Sequence, residues 1–239
     1  MPSRFPIYHK VARAIKQRIA DGSWPIDRPI PSEVKLAQQF GVSVGTVRRA
    51  IEILTGEEIL VAYQGSGTYV KTFNKGPYWN RFQRFLSLDG HIIRWAPRFL
   101  SLEKIPAPSE VALALDLTEG SPVWHAERVL TSAHDPRCCG IDSVYLNADV
   151  FTGLHAGIFE TDGKSLYQVF EESSGVVITH VSDYLVSATA DERFASLTGI
   201  PAGEPLFRLI RRGFTYSNQP IEYRIETAVA TALRVTFPS

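Results

Sequence analysis

The chain has 239 residues, 44% of them hydrophobic, and its 25 Lys+Arg are matched by 25 Asp+Glu. That length and apolar content suffice for one large core or two small ones and exclude disorder throughout. No apolar run approaches the roughly 18 residues of a membrane span and residues 1–10 lack the basic-then-apolar plan of a signal peptide, so a cytoplasmic protein with no membrane partner is expected.

The zero net charge hides a split. Residues 1–75 carry 11 Lys+Arg against 6 Asp+Glu, net +5, which leaves 14 against 19, net −5, for residues 76–239. A basic module on an acidic remainder is the distribution expected when one part meets a polyanion and the other does not. In chain order, IYHKVARAIKQRIADG places Val11, Ile15 and Ile19 on one helical face and stops at Gly22, a residue suited to a helix C-terminus. Trp24-Pro25 and Pro29-Ile30-Pro31 predict a stiff connection. Ser32 is placed to cap a second helix, SEVKLAQQF, with Glu33 favourable in its first turn and Gly41 at its end. Ser43 is placed to cap a third, VGTVRRAIEIL, whose Val47, Ile51 and Leu54 face the core.

Two helices joined by a short turn containing Gly form a helix-turn-helix. Gly45, Arg48, Arg49 and Glu52 lie roughly opposite the apolar stripe, with Thr46 beside them, a face suited to a DNA major groove. The expected DNA contacts on these helices are Ser32, Ser43, Thr46, Arg48 and Arg49. Residues 59–63 and 68–71 then read as two short strands around the turn QGSG. No helix opens after the glycines and no Gly-Lys-Ser/Thr follows, so neither a dinucleotide fingerprint nor a P-loop is present. Behind a helix-turn-helix this hairpin reads as a wing. Gln64, Gly65, Ser66, Gly67 and Thr68 are expected at the DNA, with positive φ at Gly65 or Gly67.

PIYHKVARAIKQRI, PSEVKLAQQFGVSVGTVRRAIEIL and QGSGTYV together resemble the winged helix-turn-helix of the GntR family of bacterial transcription regulators, over residues 5–70. The resemblance implies binding to double-stranded operator DNA by a homodimer. Three positions depart from the family pattern: Val34 and Val44 stand where many members carry Arg, and Glu58 where many carry Gly.

Residues 72–85, TFNKGPYWNRFQRF, read as a linker, although RFQRF also suits the start of a strand. The expected division is residues 1–72 for the DNA-binding domain, 73–85 for the linker and 86–239 for a second domain. That second part repeats itself. SEVALALDLTEGSPVWHAERVL and DERFASLTGIPAGEPLFRLIRR each give a short helix, Gly-x-Pro and a strand, with Gly120, Pro122 and Arg128 matching Gly203, Pro205 and Arg211 at a constant offset. Each half returns in a second strand, GIDSVYLNADV or PIEYRIETAVA. Between the halves, Ser165 is placed to cap a helix through LYQVFEESSG, and residues 176–187 read as a further strand. The expected class is α+β on an antiparallel sheet.

KSLYQVFEESSG and EPLFRLIRRGFTYSNQPIEYRIE resemble the UTRA domain, the ligand-binding module of the HutC branch of the GntR family, which shares a fold with chorismate lyase. The resemblance covers residues 82–237 and implies an effector held between the half-repeats, with Arg128, Asp142, Ser165 and Glu222 at the matching contact positions. Members that bind sugar phosphates have a second Arg where this chain has Leu130, and a late Tyr-Arg where it has Ala228, Val229 and Ala230. A compact, singly anionic or zwitterionic metabolite is therefore favoured. Two readings of Arg128 with Asp142 stand at this point: a ligand grip, and a structural ion pair across one hairpin.

His125 and His180 read as strand-face histidines, and the adjacent Cys138 and Cys139 as reduced structural thiols. No catalytic constellation, metal site or cofactor fingerprint is found. The leading expectation is a ligand-responsive transcriptional repressor. The alternatives are a DNA-binding regulator with an inert dimerisation domain and a chorismate-lyase-like enzyme.

Overall fold

A computed structural model describes residues 6–20, 23–24, 29–57, 59–63, 65–71, 82–132, 134–160 and 164–237. Gly22, Pro25, Glu58, the wing's Gln64 and the linker residues 72–81 lie outside the described residues. The chain divides into two compact units, residues 1–75 with 215–218, and residues 76–214 with 219–239.

In the first unit, α1 (Ile7–Ala20), α2 (Glu33–Phe40) and α3 (Val44–Gly56) pack through the stripes read from the sequence. Val11, Ile15 and Ile19 meet Leu36, Val47, Ile51 and Leu54 in a shared core, and Ile15, Leu36, Val47 and Leu54 are fully enclosed. Ser32 and Ser43 cap α2 and α3, each accepting from a backbone N–H of the first turn. Gly41 closes α2 in the left-handed conformation at φ 64°. Strands β1 (Leu60–Tyr63) and β2 (Gly67–Val70) pair antiparallel as the wing, Tyr63 opposite Gly67. Both wing glycines take positive φ, 76° at Gly65 and 115° at Gly67.

The second unit is built on a six-stranded antiparallel sheet in the order β4-β5-β6-β9-β8-β7. Its strands are β4 (Trp95–Pro106), β5 (Pro122–Ser132), β6 (Cys139–Asn147), β7 (His180–Thr189), β8 (Pro205–Phe214) and β9 (Pro220–Val229). Helices α4 (Ser109–Ala114) and α6 (Glu192–Thr198) precede β5 and β8. Each half contains the helix and antiparallel strand pair of the repeat, preceded by a further strand, and the halves meet along β6 and β9. The seam is tight: a Cβ on Gly140 would lie 2.3 Å from the Thr227 carbonyl oxygen, so only glycine fits there. A short pair, β3 (Phe85–Ser87) with β10 (Leu233–Val235), and α5 (Leu166–Ser174) complete the unit.

Three details differ from the sequence reading. β4, an edge strand containing Pro97 and Pro106, carries no clean apolar alternation and was not expected. The strand read at 176–187 begins only at His180 and runs to Thr189. Phe82, Arg84 and Phe85, at the end of the stretch read as linker, are buried in the second unit.

Candidate functional site

On the first unit, the N-terminal ends of α2 and α3 present Ser32, Ser43, Thr46, Arg48 and Arg49 at the surface. Ser43 Oγ accepts from the Thr46 amide at 3.2 Å and lies 2.9 Å from Thr46 Oγ1, so both hydroxyls are ordered by the cap. Arg48 reaches back to α2, its Nε and Nη2 donating to Glu33 Oε2 at 3.1 and 2.8 Å. This contact fixes α3 to the start of α2. Arg49 donates to Glu52 at 2.8 Å on its own helix. Both arginine side chains remain 62% exposed, so a phosphate can exchange with either carboxylate. Val34 lies exposed beside them, an apolar contact where many members offer a guanidinium.

At the wing, Ser66 and Thr68 join the two glycines at the tip, and Ser66 Oγ lies 2.9 Å from Tyr69 Oη. A Cβ on Gly67 would stand 3.1 Å from Pro29 Cβ in addition to its strained φ. Gly67→Val should therefore loosen the hairpin and weaken operator binding, while the second unit melts as in wild type. A DNase footprint as wide as that of the unmodified protein would show that the wing makes no groove contact.

The second unit contains a cavity of about 340 Å³ on the sheet face covered by α5. Strand alternation builds its floor, since side chains two apart on a strand share a face. The register sets Arg128 opposite Asp142, Asp142 opposite Glu226, Arg224 opposite Arg211 and Arg211 opposite Asp183. Like charges lie directly across two of these pairs, an arrangement that destabilises a sheet unless diagonals compensate. They do. Arg128 donates to Asp142 from Nε at 3.1 Å and from Nη2, and Arg224 Nε donates to the other carboxylate oxygen at 2.6 Å. Asp183 in turn bridges Arg211, at 2.7 and 2.8 Å, and Arg84, at 2.7 Å.

Glu222 lies deeper. Its Oε2 accepts from Tyr167 Oη at 2.7 Å, and Arg211 Nη1 donates to the same hydroxyl at 3.3 Å. Its Oε1 is buried without a hydrogen-bond partner among the described residues. Burial pushes the Glu222 carboxyl above the ordinary range, more than Arg224 and Arg211 pull it down. Burial also pushes up Glu226, helped by the Asp142 charge opposite and resisted by Arg224. For Asp142 burial acts in the same direction, but Arg224 and Arg128 outweigh it and hold the carboxyl low.

Of the four expected effector positions, Arg128 and Ser165 line the cavity. Ser165 does so as the cap of α5, in a reciprocal capping box with Gln168. Asp142 and Glu222 do not line it: they sit behind the lining, one under two arginines and the other under Tyr167. Arg224, Glu226 and Tyr167 are lining residues that the sequence reading missed, and Arg211 appeared there only as a repeat match. Their signal was present as the alternation Glu222-x-Arg224-x-Glu226 in a strand too buried to carry charges without a purpose.

His125 stacks on Tyr145 at 4.3 Å with Nε2 2.8 Å from Ser143 Oγ, and His180 stacks on Phe214 at 4.8 Å. Both cysteines are free and buried, and burial raises the Cys139 thiol to about 11. No cluster of three metal-ligating side chains occurs among the described residues, and no described helix is long and apolar enough to cross a membrane.

Residues 7–70 match the gntR family of bacterial regulatory proteins and residues 94–234 match the UTRA domain. The chain is a UTRA-bearing member of the gntR family. The mannosyl-D-glycerate transport/metabolism system repressor MngR of Escherichia coli K12 is 29% identical over 91% of this gntR-family chain and 89% of its own length. The histidine utilization repressor of Klebsiella aerogenes is 33% identical over 98% and 90%. The crystal structure of the ligand-binding domain of a GntR-family transcriptional regulator from Bordetella bronchiseptica aligns with a TM-score of 0.60 at 27% identity, over 66% of this chain and 98% of that one. The α+β fold expected from the order of helices and strands, and the DNA-binding regulator and UTRA ligand domain expected from the two family resemblances, are thereby established.

Proposed function

We propose that the protein is a cytoplasmic, non-enzymatic repressor that holds a two-fold symmetric operator as a homodimer and releases it when a small anionic metabolite fills the cavity of the second unit. The observation that carries this reading is the cavity itself, lined by Arg128, Arg224 and the capped start of α5, in a chain whose other unit is a basic winged helix-turn-helix. Guanidinium groups fixed by a buried carboxylate are preorganised anion receptors. Two relatives are named for mannosyl-D-glycerate and for histidine, and both compounds are carboxylates.

In this reading Arg128 and Ser165 touch the ligand, while Asp142 and Glu222 position the groups that do. Ser32, Ser43, Thr46, Arg48, Arg49 and the wing residues 64–68 contact DNA, with residues 1–72 as the binding head, 73–85 as the linker and 86–239 as the ligand and dimer domain. Arg49→Ala should weaken operator binding by about 1 to 3 kcal/mol. Gel shifts at fixed salt measure this, and an unchanged affinity removes Arg49 from the interface. The reading as a whole is tested by thermal shift of the full chain against a metabolite panel, followed by a gel shift with each compound that stabilises it. A stabilising compound that leaves operator affinity unaltered would reduce the second unit to a binding domain without regulatory output.

A further inference from the structure

Beside its arginines, the cavity displays one carboxyl of its own. Glu226 lines it, with 10% of its side chain exposed and its Oε2 3.4 Å from Arg224 Nη2. The surrounding cluster is charge-balanced. Arg84, Arg128, Arg211 and Arg224 face Asp142, Asp183, Glu222 and Glu226, each at most 11% exposed. A dianion entering this cluster would meet no surplus positive charge among these eight groups. It would also lie against Glu226. Leu130 adds no charge, and the two further cations of the lining are exposed: Arg94, and Lys164, which is paired to Glu172 at 2.6 Å.

A ligand that is itself dipolar meets a matching surface. Its carboxylate takes the outward N–H groups of Arg128 and Arg224, and an N–H lying a short distance along the molecule donates to Glu226. We propose that Arg224 and Glu226, two residues apart on β9, make the site selective for a compact carboxylate that also carries a nitrogen donor, an ammonium or a ring N–H. Asp142, Asp183 and Glu222 lie behind the lining on arginines or Tyr167, so Glu226, held by Arg224 through one oxygen at 3.4 Å, is the carboxyl that the cavity presents to a ligand. The cavity volume, near the small end for ligand sites, keeps that molecule compact.

This inference rests on the proposed ligand site, and the experiment separates the two. The full chain is titrated calorimetrically with matched probes of similar size: monocarboxylates bearing an amino or ring N–H, the same acids lacking it, dicarboxylates, and phosphate monoesters. N–H-bearing acids should bind at least about tenfold more tightly than their N–H-free partners. Glu226→Gln, which keeps the shape and loses the charge, should erase that preference and narrow the gap to the dicarboxylates; a merely structural glutamate would change all affinities together. Tighter binding of dicarboxylates or phosphate esters to the wild type overturns the selectivity but leaves the ligand site standing. Binding by no class overturns the ligand site and this inference with it. If Glu226→Gln does not fold, the wild-type pairs alone decide.

Discussion

Asp142→Ala should destabilise the second unit by about 3 to 5 kcal/mol, the largest loss expected of any single substitution in the cavity floor. Asp142 is fully buried and holds two guanidinium groups from two different strands, Arg128 of β5 and Arg224 of β9. Removing it leaves both charges in the sheet interior, with Glu226 as the remaining ion-pair partner of Arg224. The substitution also cuts across the seam between the half-repeats, because Arg224 reaches Asp142 from β9 to β6. Urea or thermal melts of the full chain measure the loss, and a wild-type transition would show that the arginines find other partners.

The pH dependence has a definite sign. A carboxyl held low in the folded state stabilises the protein above its unfolded pKa, about 4, and loses that contribution as pH falls through the folded value. Asp142→Asn should remove that acid-side slope. Glu222 and Glu226, pushed up by burial, act oppositely: their contribution is complete below an unfolded pKa of about 4 and declines as pH rises through the folded values.

The first unit was legible in the sequence because its signals are local. Caps at Ser32 and Ser43, the Gly41 stop and stripes at helical spacing are each read within a few residues, and the structure places all of them so. The half-repeat was legible for a related reason: Arg128 and Arg211 recur at one offset, and the sheet order mirrors that duplication. What escaped was non-local. Nothing near Asp142 in the chain indicates that a second arginine, 82 positions on, binds its other oxygen. Nor does the composition of Glu222 distinguish a residue facing the cavity from one sealed behind Tyr167. β4 escaped because an edge strand with two prolines needs neither the alternation nor the β-branched density that marks an interior strand.

Arg128→Ala should bind operator as wild type does and fail to release it on addition of any compound that releases the wild-type protein. The fold should survive, because Asp142 keeps its 2.6 Å bond to Arg224 and so is not left unpaired. What disappears is the guanidinium group that the first half-repeat's β5 contributes to the cavity, and with it the bond from Nη1 to the Phe159 carbonyl at 3.4 Å. A ligand can shift the protein between operator-binding and released forms only by the difference in its affinity for the two. That difference must arise from groups belonging to both half-repeats, since a ligand held by one half alone has no leverage on the arrangement of the two. Arg128 belongs to the first half and Arg224 to the second. Losing either should therefore remove regulation before it removes DNA binding. In gel shifts the wild type should lose affinity by about 5- to 150-fold at saturating ligand, while Arg128→Ala and Arg224→Ala stay unchanged at the same concentration. Arg224→Ala, which also leaves Asp142 one partner, is the control: if either variant still responds at the wild-type ligand concentration, that arginine lies outside the effector site.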